Sequence, residues 1–80
     1  MKNIKVKFKN RLADDCWGLA FRDEHRIEIK NGLEPFDEFD TTIHELLHIV
    51  YPFLEEVYVE KYATILAKEL WKLGYRRSHK

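Results

Sequence analysis

Cysteine is nearly missing from this chain: Cys16 stands alone, so neither an internal disulfide nor a thiolate metal cluster can form. Proline occurs twice and glycine three times, too few for a flexible linker, and no repeat or low-complexity tract breaks the pattern. Net charge is also missing, since 14 basic residues meet 14 acidic ones; this argues against a nucleic-acid platform and against a membrane-surface binder. No apolar run approaches transmembrane length. The opening Met1 to Lys7 alternates and offers no apolar core for a signal peptide, so a cytoplasmic protein is expected.

What is present is the material of one folded domain. The apolar fraction is 45% and the aromatic fraction 14%, as in globular proteins and unlike disordered ones. Eighty residues bury a small core, so a bound metal tying two elements together would add useful stability.

Residues 1–80 read as a single domain in which strands come first and helices last. Ile4, Val6 and Phe8 alternate with Asn3, Lys5, Lys7 and Lys9, the pattern of a half-buried strand with a polar, mostly lysine face that also guards an edge. Trp17, Leu19 and Phe21 alternate with the small residues Cys16, Gly18 and Ala20 in a second strand. Arg22 to His25 form a turn, and Ile27 and Ile29 mark a third strand ending at Asn31-Gly32. These strands lie within about residues 3–30. From Pro35 the period changes to steps of three and four: Phe36, Phe39, Ile43, Leu46, Leu47 and Val50 describe an amphipathic helix over about 36–51, with acidic residues in its first turn and Pro52 as its stop. A last helix over about 55–73 carries the stripe Val59, Ala63, Leu66, Leu70 and Leu73, with Gly74 as C-cap. The expected class is α+β: a small antiparallel three-stranded sheet, its second and third strands a hairpin, packed on one face by two helices.

His44 and His48 lie one turn apart on the first helix, about 40° apart in projection, and can grip one tetrahedral ion. Glu45 points to the flank of that pair, where it can accept a proton from water without being a ligand. Zinc lowers the pKa of bound water from about 15.7 to near 7, so a neighbouring carboxylate can finish the deprotonation. A pair of ordinary surface histidines is the bland alternative; the combination of two His and a Glu at this spacing is the stronger signal.

A catalytic zinc site usually has a third protein ligand. The nearest later candidates are Glu55, Glu56 and Glu60, since the only later histidine is His79 in the basic tail. Helix phase alone does not choose between Glu55 and Glu56. The spacing of Glu56 and Glu60, one turn apart on one edge, favours Glu56 as ligand with Glu60 steadying an imidazole from behind.

The stretch from Thr41 to His48 resembles the active-site helix of the zincin metallopeptidases, and most nearly their glutamate-ligated branch, the gluzincins. The continuation through Tyr51-Pro52, Glu56, Val59, Glu60 and Ala63 to Leu70–Arg76 is similar to small HExxH proteins of phages and prophages, and more distantly to SprT-like and ImmA/IrrE-like proteins. The resemblance covers about the last forty residues. It implies a zinc hydrolase with His44, His48 and Glu56 as metal ligands, Glu45 as general base and Glu60 as supporting acid. The chain departs from larger gluzincins in the short gap between His48 and Glu56, and in having no further subdomain to wall the cleft.

The remaining candidates are weaker. Tyr51, Tyr58 and Tyr62 could donate to an oxyanion but are expected as packing residues with wet hydroxyls. His25 is expected as a turn residue, Cys16 as a small strand residue, and Trp17 and Trp71 as core or core-edge residues. Together these readings point to a zinc peptidase acting on a peptide or protein held in extended form at a sheet edge. A zinc-stabilised protein-interaction module without catalysis is the alternative.

Overall fold

The protein is described by a computed structural model covering residues 3–77; Met1, Lys2 and residues 78–80, His79 among them, lie outside the described residues. Strand β1 is Lys5–Lys9, β2 is Gly18–Phe21 and β3 is Arg26–Lys30, followed by helices α1, Pro35–Val50, and α2, Glu56–Lys72. The class is α+β, with three strands and two helices in the expected order, and α1 packs on the sheet.

The sheet is mixed rather than antiparallel. Its order is β1-β3-β2: β2 and β3 form the expected antiparallel hairpin, while β1 runs parallel to β3 on the other side. The link between β1 and β2 explains this. A tight turn after Lys9 would have placed β2 beside β1, but residues 10–17 and their 3-10 turn at Ala13–Asp15 carry the chain past one strand position, about 10 Å between the two outer strands. The gap is then filled by β3, whose Ile27 and Ile29 are fully buried. Lys5 N–H donates to His25 O at 2.9 Å and Asn31 N–H to Lys9 O at 2.8 Å, closing the parallel pair at both ends.

The register puts Val6 and Ala20 beside Ile27, and Phe8 and Gly18 beside Ile29, so these six side-chain positions share the helix-facing side. The opposite face carries the β1 lysines as expected. There Glu28 is buried between Lys9, at 3.0 Å, and Arg26, while the Arg26 guanidinium also stacks 4.0 Å over Phe21.

Helix α1 begins at Pro35, whose missing N–H costs nothing in a first turn. Helix α2 ends in a Schellman motif: Gly74 takes φ +95°, its N–H donates to Trp71 O at 3.0 Å, and Tyr75 N–H donates to Leu70 O at 3.2 Å. Between the helices, Val59, Ala63 and Ala67 are fully buried. The inward stripe of α2 therefore turns toward Ala67, and two of its expected members are outside it: Leu66 is 44% exposed and Leu73 75%. Small residues at the contact let α2 lie close against α1, which leaves Leu66 at the border with Leu47, Tyr51, Leu54, Tyr62 and Ile65. Val50, the last residue of α1 and of its stripe, is 44% exposed. Trp71 sits at the core edge as expected, with Phe36 edge-on at 5.3 Å, but Trp17 is 50% exposed, ahead of β2 rather than within it.

Candidate metal centre

His44 and His48 project from the last two turns of α1, and Glu56 opens α2 across the short link that contains Pro52. The link makes one reversal, with Leu54 N–H donating to Tyr51 O at 3.1 Å, and this brings the start of α2 back over the histidine pair. His44 Nε2 lies 2.7 Å from one carboxylate oxygen of Glu56 and His48 Nε2 lies 2.8 Å from the other. The two imidazoles are 5.0 Å apart between ring centroids. One ligand-type atom from each residue of this trio falls within 4.8 Å of the others. It is Glu56 and not Glu55 that reaches both imidazoles; Glu55 is the exposed N-cap of α2.

Two imidazole nitrogens and a carboxylate converging on one point form the donor set that zinc takes in catalytic sites, with a position left for water. The chemistry of the trio therefore fits that ion. His48 Nδ1 is buried without a hydrogen-bond partner among the described residues, so the ring is held by packing and by its Nε2 contact.

Glu45 is 8% exposed. Burial raises its pKa from the ordinary carboxylate value of 4.5, the positive field of His44 opposes this, and the charge of Glu56 adds to it. The His48 pKa is lowered, first by burial, so the neutral, metal-competent form is favoured. Among the opposing and reinforcing charges felt at His48 are those of Glu56 and of Arg22.

Two features of the sheet shape the centre and were not singled out by the pattern of residues. Gly18 is a close-approach glycine. A Cβ there would stand 2.8 Å from Glu45 Cγ, 2.8 Å from Thr41 Cγ2 and 3.0 Å from Glu45 Oε2. A glycine inside a strand pattern is the signal that could have exposed it. Arg22, in the turn after β2, donates from Nε to His48 O at 3.1 Å. In a continuing helix that carbonyl would accept from the N–H four residues on, but that residue is Pro52, which has none. Arg22 supplies the missing donor and joins the turn to the end of α1.

Two hollows flank the trio and share Gly18, His44, Glu45 and Glu56 as walls. One, of about 410 Å³, is completed by Leu19, Ala20, Arg22 and His48. The other, of about 430 Å³, is completed by Cys16, Trp17, Asp40, Thr41, Glu60 and Thr64. Strand β2, an edge of the sheet, runs alongside. Lys30 N–H donates to Trp17 O at 2.8 Å, which makes the Trp17 and Lys30 pair a hydrogen-bonded one. By alternation the pairs at Gly18 and Ala20 are not, so the backbone N–H and C=O groups of both residues face the open edge beside Glu45.

Glu60 reaches the second hollow but is exposed and holds no imidazole; it makes no hydrogen bond or ion pair among the described residues. Thr64 in that hollow donates to Asp40 at 3.3 Å. Tyr51, Tyr58 and Tyr62 line neither hollow; Tyr51 and Tyr62 border the apolar hollow near Leu66, and Tyr58 stacks on Tyr62 at 6.0 Å. Cys16 precedes β2 instead of lying in it, and is half-buried at the wall of the second hollow. His25 sits in the hairpin turn with φ +47°. No family model, curated protein or solved structure matches the chain.

Proposed function

We propose that this protein is a zinc-dependent, peptidase-like hydrolase of the gluzincin type, with His44, His48 and Glu56 as metal ligands and Glu45 as general base. The observation that carries the reading is the placement of both His Nε2 atoms on the Glu56 carboxylate, at 2.7 and 2.8 Å, with buried Glu45 beside them. A surface histidine pair has no need of a carboxylate bridging it from another helix, nor of a buried acid at its flank.

Zinc, when bound, supplies the Lewis acidity that eases both deprotonation of water and attack on a peptide carbonyl. Glu45 takes the proton from the attacking water and returns it to the leaving amine; its partial burial raises its hold on that proton, the direction a carboxylate base needs. Gly18 and Ala20 hold an extended peptide through their open-edge backbone groups, next to Glu45. The partner is thus a peptide or protein segment, and nothing in the charge balance favours nucleic acid. No helix among the described residues is long and apolar enough to cross a membrane. A cytoplasmic setting belongs to the same reading and suits the unpaired Cys16.

The test is elemental analysis of protein purified without a histidine tag, followed by digestion of a peptide library with wild type and Glu45→Gln. We expect one zinc per chain in both, a clear fall in melting temperature on chelation, and cleavage by wild type alone. Stoichiometric zinc with no cleavage by either form replaces the enzyme by the zinc-stabilised interaction module. No zinc and no effect of chelator overturns both.

A further inference from the structure

Arg22 is already engaged, yet only in part. Its Nε is used on the orphaned His48 carbonyl at 3.1 Å, and this bond fixes the plane of the guanidinium. The remaining N–H groups, on Nη1 and Nη2, have no partner among the described residues. The side chain walls the same hollow as His44, Glu45, His48 and Glu56. A guanidinium held by one nitrogen and open at the other two is a preformed fork for a carboxylate. Among the residues that line this hollow, Arg22 is the only Lys or Arg.

Resting on the peptidase reading above, we propose that Arg22 is the specificity-determining residue of this site and binds the side-chain carboxylate of an Asp or Glu in the peptide substrate. The geometry of β2 selects a side chain over a chain terminus. Arg22 follows the C-terminal end of β2. A peptide paired antiparallel to the Gly18 and Ala20 edge, the more stable pairing, passes Arg22 with residues on its N-terminal side, where no terminal carboxylate is present. The preferred substrate is therefore an extended segment with an acidic residue N-terminal to the bond that is cut.

The experiment uses zinc-loaded Glu45→Gln protein, chosen to bind peptide without cutting it, and nitrogen-15 NMR titration with three N-acetylated probes. These are acetyl-Ala-Glu-Ala-Ala-amide, its Gln counterpart, and acetyl-Ala-Ala-Ala-Ala with a free C-terminus. We expect the Glu peptide to bind about tenfold more tightly than the Gln peptide, the scale of a charged hydrogen bond. The preference should vanish when Arg22→Gln is added. It should vanish equally when Arg22 is replaced by citrulline, which keeps the Nε–H bond to His48 O but carries no charge; this second variant guards against mere loosening of α1. Equal binding of the Glu and Gln peptides overturns the proposal and leaves the peptidase reading standing. Tightest binding by the free-terminus peptide overturns the assignment to a side chain. If no peptide binds to the zinc-loaded protein, the peptidase reading falls, and this proposal with it.

Discussion

Replacing Gly18 by alanine exchanges one hydrogen for a methyl group, and in a strand such a change is ordinarily neutral or stabilising, by about 0.4–1 kcal/mol through the unfolded chain. Here the new Cβ would meet Glu45 Cγ and Thr41 Cγ2, each at 2.8 Å. Both are γ-carbons of α1 residues, so relief takes a change of rotamer or a movement of the helix. Overpacking of this kind costs about 1–3 kcal/mol, and the net expected for Gly18→Ala is a loss of roughly 0.5–2 kcal/mol. For a domain of this size that is a fall in melting temperature on the order of 5–10 °C. Thr41→Ser removes one of the two opposing atoms, so the double variant should recover part of the loss, a coupling measurable by a thermodynamic cycle from chemical denaturation. The remaining pressure falls on Glu45, so hydrolysis by Gly18→Ala should drop further than its folded fraction explains, since a misplacement near 1 Å can cost about 100-fold. A Gly18→Ala protein as stable as wild type, or additive behaviour with Thr41→Ser, would refute the idea that β2 and α1 meet through this glycine.

Glu56→Ala should weaken zinc binding well beyond the roughly 10- to 100-fold typical of an outer partner, while Glu60→Ala and Glu55→Ala change little, since the contacts of both imidazoles are with Glu56; competition titration with a zinc indicator ranks the three, and a larger loss at Glu55 or Glu60 would reassign the ligand. In metal-free protein, Glu45→Gln should be the more stable form at pH 7. The raised pKa of Glu45 means that the fold holds this proton more tightly than the unfolded chain does. Its contribution is thus full below about 4.5 and is lost as pH rises through the folded value. Melting curves in chelator should show the gap between Glu45→Gln and wild type widening from pH 4 to pH 7, and a gap that narrows would reverse the sign of the argument.

The helical half was plain in the residues because its punctuation is local. Pro35, Pro52 and Gly74 each act on the backbone within a turn of where they stand, and the trio of His44, His48 and Glu56 spans one short link. The sheet was legible as strands and faces but not as neighbours. Alternation says which side of Val6 or Ile27 is buried, and carries no information on whether β1 lies beside β2 or β3. The same limit hid the α2 contact, where the small size of Ala67 counted for more than the hydrophobicity of Leu66. Arg22 was least visible. Its role depends on a carbonyl left open by Pro52, thirty positions away in sequence, and no periodicity links a turn to the far end of a helix. Glu60, chosen on spacing, lies on the right edge of α2, yet the ring it was expected to steady is held elsewhere.

The proposed metal ligands all belong to the continuous stretch from His44 to Glu56, whereas the groups that would meet a substrate, Gly18, Ala20 and Arg22, belong to the strand-and-turn segment far upstream. Such a division makes the molecule divisible for an engineer: the reactive cassette and the reader of the incoming chain can be altered by separate sets of mutations. Changes at Arg22 that keep its Nε–H bond to His48 O would retarget what is admitted without disturbing the proposed ligands. Gly18 allows no such freedom, because the carbon it lacks is the space in which Glu45 rests.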